Sequence, residues 1–193
     1  MWEPDYATVP ELKAYVSIPA DDTVDDTELA GKITAASRSI DDHCHRQFGQ
    51  VDAPEERVFT AQARARGAVV IVDDLMDVTG LAIESDGTTV TAERLTPRNA
   101  PAKGRPYTRL WLPRGVTCEV DGIAVTALWG WSAVPATIKE ATLLQASRLL
   151  KRRDAPFGVA GSPELGSEIR LLAKVDPDVA VMVHRYVRRG GVG

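Results

Sequence analysis

The chain has 193 residues, 44% hydrophobic and 26% charged, with a formal net charge of -4, the composition of an ordinary globular protein with room for a core and a smaller annex. No apolar run approaches the roughly 20 residues that a membrane-spanning helix needs, and the acidic start lacks the basic and apolar regions of an export signal, so no membrane is expected and synthesis in the cytoplasm is. Two cysteines, Cys44 and Cys118, form no framework of bridges, and reduced thiols are expected.

Charge is unevenly spread. Residues 1–100 carry 19 acidic and 9 basic side chains, and residues 101–193 carry 8 and 14. Asp21, Asp22, Asp25 and Asp26 make one extreme; Lys151, Arg152 and Arg153 make the other. A chain with an acidic and a basic half suits head-to-tail association of identical subunits, so these seven residues are the candidates for inter-subunit contact. A DNA-binding domain would more often be basic throughout.

In chain order, Thr8 and Glu11 have capping-box spacing, and a short helix is expected to Val16. A second helix is expected over 26–48, capped by Asp25 or Asp26. Leu29, Ile33, Ala36, Ile40, Cys44 and Phe48 recur at spacings of 4, 3, 4, 4 and 4, with Gly49 as the stop. From Val51 to Trp131 the period becomes two. Strands are expected over 57–60, 68–72, 78–85, 88–94, 109–112 and 115–129, with Asp86-Gly87 and Asp121-Gly122 as hairpin signals. Residues 68–72, an unbroken apolar run, read as a strand covered on both faces. The proline-rich stretch 96–106 reads as an exposed, mobile loop.

After Trp131 the helical period returns over 135–153, with Pro135 in the first turn and an apolar face from Ile138 to Leu150. A loop over 154–167 and an extended stretch over 169–173 follow. Asp176-Pro177 opens a last helix to about Arg189, before a flexible Gly190–Gly193 end. The fold class is therefore α+β: four helices, from residues 1–50 and 132–193, with a β-rich insertion over 51–131.

Sites for chemistry are few. Asp41-Asp42-His43-Cys44-His45 is the one metal-like cluster, but on a helix His43 and His45 diverge by about 200°. Cys44 reads instead as a core residue of the helical stripe. Asp73, Asp74 and Asp77 could pair as carboxylates, yet a strand end and turn account for them. Gly158–Gly161 lacks the Lys-Ser/Thr of a phosphate loop, and no nucleophile elbow occurs. No enzyme activity, cofactor or bound metal is expected. Trp129 and Trp131 are expected to hinge the β-rich part onto the helices; Trp2 and Trp111 are the alternative interface anchors.

Four segments carry a resemblance: YATVPELKAYVSI, DDTELAGKITAASRSIDDHCHRQFG, VPATIKEATLLQASRLLKRRDAPFGVAG and IRLLAKVDPDVAVMVHRY. In wording and order they resemble phage head–tail connector proteins of the head-to-tail adaptor family, in the enlarged form found among actinobacterial siphophages. The resemblance implies a structural virion protein of the neck. It implies a ring, commonly of twelve copies, beneath the portal protein, with a stopper or tail-side connector docked below and duplex DNA passing through the lumen without sequence-specific binding. It also points to the C-terminal region as the portal contact, with Tyr186, Arg188 and Arg189 as candidates. The alternative is a DNA-binding accessory protein that uses the basic end of the third helix, loop 96–106 and the last helix on phosphates.

Overall fold

A computed structural model describes residues 3–153 and 175–188, Arg153 by its backbone alone. The expected loop 154–167, the extended stretch 169–173 and the terminal glycines lie outside the described residues, as does Arg189. The chain divides into two compact units, one helical (3–47 with the residues from 134 onward) and one β-rich (48–133).

In the helical unit, α1 spans Val9–Val16, with Thr8 and Glu11 forming the capping box in both directions. Helix α2 spans Asp26–Cys44. Asp25 holds its cap position without a side-chain capping bond. Helix α3 spans Ala136–Arg153, and α4 spans Pro177–Val183, continued by a 3-10 turn over His184–Tyr186. The core joins Leu12 of α1 to Leu29, Ile33 and Ala36 of α2 and to Leu143 and Ala146 of α3. Two ion pairs tie the elements: Lys13 to Asp26 at 2.5 Å, and Lys139 to Glu11 at 2.8 Å.

Helix α2 stops four residues short of the expected end. His45 takes a left-handed conformation (φ 54°) and its N–H donates back to Asp41 O. The apolar stripe continues to Phe48 by coincidence: Phe48 belongs to the β unit, its ring 5.2 Å from that of Trp131. The last helix also ends early, because Arg188 N–H donates to Cys44 O and turns the chain along α2. Leu149, expected in the core, is only half-buried.

The β unit is two antiparallel four-stranded sheets around one core. Its strands are β1 Glu55–Phe59, β2 Ala61–Arg64, β3 Gly67–Leu75, β4 Ala82–Ser85, β5 Thr88–Thr89, β6 Arg94–Thr96, β7 Tyr107–Leu112 and β8 Ile123–Ala127. One sheet runs β1-β8-β4-β5 and the other β2-β3-β7-β6. Val70, Val72, Leu110 and Leu112 from the second sheet meet Ile83, Ile123 and Val125 from the first.

The chain changes sheet four times. At Thr60, where the expected strand ends, it leaves β1 for β2, a strand not expected from the sequence, and over 90–93, inside the strand expected over 88–94, it leaves β5 for β6. The crossing over 90–93 keeps the period-two pattern, which is why the sequence reads it as continuous. Asp86-Gly87 makes the expected hairpin, both residues at positive φ (46° and 71°). Asp121-Gly122 instead closes a turn that precedes β8: Gly122 N–H donates to Glu119 O, and Asp121 N–H to Thr60 Oγ1. Residues 78–81 are a turn as well, with Thr79 N–H held by Asp77 Oδ1 at 2.8 Å. The 96–106 stretch is more structured than expected, with Ala100 buried and a 3-10 turn over Pro101–Lys103.

Gly130 is the tightest point of the unit. Its N–H donates to Asp74 O, its carbonyl accepts from Met76 N–H, and next to it Trp131 N–H reaches Gly49 O. A Cβ on Gly130 (φ 107°) would lie 2.0 Å from Gly49 O.

Two stability outcomes follow. Ile33→Ala, at a site with 2% exposure, should cost about 2–5 kcal/mol in denaturant unfolding followed by helical circular dichroism, and Leu149→Ala clearly less. Gly130→Ala should destabilise the β unit by more than Gly87→Ala, which meets open space, as read by tryptophan fluorescence melts; equal melts would contradict the junction.

Candidate functional site

Residues 3–7 are pinned along α2. Tyr6 N–H donates to Ser37 Oγ, and Ser37 Oγ donates on to Ile33 O. The Tyr6 hydroxyl donates to Asp41 Oδ1. Arg38 completes the clasp, reaching Pro4 O at 2.6 Å and Asp41 Oδ2 at 3.1 Å. Asp41 is thus structural, and burial pushes its carboxyl up to about 6 against the opposing pull of the Tyr6 hydrogen bond and Arg38. Cys44 beside it is buried, which raises its thiol to about 12. No group of three or more His, Cys, Asp or Glu side chains that could hold a metal ion occurs among the described residues. The three strand-end carboxylates are also engaged structurally: Asp73 pairs with Arg57 at 2.8 Å, Asp74 accepts from Trp131 Nε1 at 2.8 Å, and Asp77 holds the turn.

The residues put forward for subunit contact are placed as follows. Asp21, Asp22 and Asp25 are exposed between α1 and α2; Asp26 is spent on Lys13. At the end of α3, Lys151 is exposed and Arg152 half-buried. Arg152 lines a groove of about 810 Å3 with Asp42 and His43 of α2 and Val175 and Ala180 beside and on α4. Arg153 and Arg189 have no described side chain.

Tyr186 changes role. It is only 7% exposed, with the Arg185 guanidinium 4.8 Å from its ring centroid, so it packs within the helical unit rather than offering a surface. Arg188 is half-buried and tied by its backbone to α2. Arg148, read from sequence as a solvated charge, reaches Asp176 and Asp178 and so fastens α3 to the start of α4.

The described tryptophans all lie in the β unit. Trp129 donates to Glu55 O, stacks near Phe59 and lies under Arg57, all inside the β unit. Trp131 is held by Asp74 and Phe48, also inside the β unit. Trp111 is half-buried on β7, with Arg94 4.0 Å above its ring.

Charge in the β unit is sorted by sheet, which no division of the sequence into halves reveals. Segments 61–75 and 93–114, which build the β2-β3-β7-β6 sheet, hold eight basic and three acidic side chains; the rest of 48–133 holds one basic and eight acidic. All eight of those basic side chains are exposed. Four of them, Arg64, Arg66, Arg94 and Arg98, line a groove of about 530 Å3 beside Trp111.

No protein-family profile matches the chain, and no curated protein matches its sequence. Solved structures do match its fold. A chain from the neck of an empty GTA particle computed with C6 symmetry aligns at TM-score 0.54 and 20% identity, over 96% of this chain and 91% of that one. A chain from the neck of a native GTA particle computed with C12 symmetry aligns at TM-score 0.52 and 18% identity, over 100% and 99%. The fold is shared. The match spans the helical and β units alike.

The Asp41 clasp gives a pH signature. Its folded-state pKa lies above the ordinary 3.8, so the native state holds the proton longer than the unfolded one, and the contribution to stability falls as pH rises from about 4 to about 6. Wild type should lose stability relative to Asp41→Asn across that window in thermal melts; a constant difference would contradict it.

Proposed function

We propose that this chain is a structural neck protein of a phage-like particle: a head-to-tail adaptor whose copies, twelve in number, ring the underside of the portal and join the DNA-filled capsid to the tail or stopper. One observation carries the reading. The fold aligns along nearly its whole length, and theirs, with chains of GTA particle necks, one of them computed with C12 symmetry. The residues agree with a scaffold role, since the buried polar groups named above are used to fasten elements to one another rather than converging on a cleft. Duplex DNA would pass through the ring without base contacts.

Portal docking through the chain's end remains part of the proposal, now through Arg188 and Arg189. Tyr186 is too buried to serve and its removal would disturb the fold.

The test is assembly. Purified chain mixed with the portal protein of the same particle should give twelvefold rings on portal in negative-stain images, and a chain that carries Arg188→Glu and is cut after position 188 should fold normally but dock at least about tenfold more weakly. Absence of any ring with portal would overturn the adaptor reading. Undiminished docking of the shortened chain would remove only the C-terminal contact.

A further inference from the structure

The two sheets of the β unit turn opposite chemistry outward. On the β2-β3-β7-β6 sheet, inward Val70 and Leu110 alternate with an outer row of Gln62, Val69, Trp111 and Arg94, in which Val69 is only 3% exposed and Arg94 is at the surface over Trp111. The next outer row is Ile71, Arg109 and Thr96. This face is bulky, basic and led by a tryptophan. On the β1-β8-β4-β5 sheet the outer rows are Glu56, Thr126 and Ala82, then Val58, Ala124, Glu84 and Thr89. That face is acidic, lined by small side chains, and Val58 on it is 55% exposed.

We infer that these two faces are the complementary halves of a contact between neighbouring copies of this chain, the basic face of one copy seated on the acidic face of the next. The inference rests on the ring reading above and names the surfaces that would make the ring. Charge complementarity is the first argument, and the unit is a dipole rather than a cation. Over 48–133 it carries nine basic and eleven acidic side chains, so beyond a screening length it does not attract duplex DNA, whereas a second copy offers each face its opposite. Shape is the second. Projecting Arg94, Arg109 and Trp111 need a partner floor of small residues, and Ala82, Ala124 and Thr126 supply one around Val58. Availability is the third, since Arg66, Arg94, Arg98 and Arg109 and the facing Glu56 and Glu84 form no ion pair among the described residues. Because the two faces differ, the contact is heterologous, and repetition closes a ring when the rotation allows it.

Charge exchange tests this on the full chain. Arg94→Glu with Arg109→Glu makes both faces acidic, and Glu56→Arg with Glu84→Arg makes both basic. All four positions are exposed, so circular dichroism melts should stay close to wild type. Self-association in sedimentation velocity and ring formation on portal should fall at least about tenfold for each double variant alone. An equimolar mixture of the two should restore rings of alternating subunits, an outcome misfolding cannot produce.

Wild-type rings with undiminished assembly of either double variant would overturn the face assignment and leave the adaptor reading standing. Loss in both variants without restoration on mixing would overturn the pairing of these two faces. A wild type that forms no ring alone or with portal would overturn both readings. Normal assembly of Arg94→Glu with Arg109→Glu, combined with loss of salt-sensitive duplex DNA retention, would assign the basic face to DNA instead.

Discussion

The β unit depends on what happens at Gly130. Three stretches of chain far apart in sequence (49–51, 74–76 and 129–131) exchange backbone hydrogen bonds there: Val51 N–H to Trp129 O, Gly130 N–H to Asp74 O and Trp131 N–H to Gly49 O. Such close approach excludes a side chain, and glycine alone meets the geometry without strain. Trp129 and Trp131 flank the junction, each with its indole N–H satisfied by Glu55 O or by Asp74, so two large rings can be buried with no stranded donor. A unit of short strands that changes sheet four times needs such a closure, because each sheet alone would leave one apolar face in water.

Closing the sandwich has an electrostatic consequence. With inner faces committed to Val70, Leu110, Ile123 and Val125, most charged residues are sent to an outer face or a loop by the period-two alternation, and the exceptions, Arg57 and Asp74, are held by Asp73 and Trp131. Two of the four crossings, at Thr60 and over 90–93, do most to sort the charges. They hand the acidic start of the β region to one sheet and Arg64, Arg66 and Arg94 to the other. A polarised unit arises from topology acting on a chain whose linear charge pattern looks merely acidic-then-basic.

Much of this fold was legible in the sequence, and the failures have physical causes. Thr8 and Glu11, the Leu29–Cys44 stripe, the Asp86-Gly87 hairpin and the first-turn Pro177 are local signals, and local hydrogen bonding or periodicity fixes them. The misreadings are all non-local. Phe48 continues a helical spacing but answers to Trp131; β5 and the start of β6 read as one strand because a sheet change leaves the alternation intact. The roles of Asp41 and Arg148 emerge only when Tyr6 is brought to the one and Asp176 and Asp178 to the other across roughly 30 residues of chain. Among the candidate contacts, Asp21, Asp22, Asp25 and Lys151 stay at the surface, whereas Asp26 and Tyr186 are consumed by packing. Counting charges along the chain cannot separate the two kinds.

The same distinction bears on the ring proposed above. A charge spent on internal fastening contributes to rigidity, as Lys13 on Asp26 and Lys139 on Glu11 do for the helices. A charge left exposed contributes to steering and register between copies. In the helical unit the ionic groups are divided between these uses. In the β unit the basic ones are almost all of the second kind, with Arg57, spent on Asp73 and Glu55 across the two sheets, as the exception. A surface of exposed arginines around one half-buried tryptophan adds little to the stability of its own sheet. Its self-repulsion, screened in solution by salt, would be offset further by an acidic face brought against it, which is the arrangement proposed for neighbouring copies.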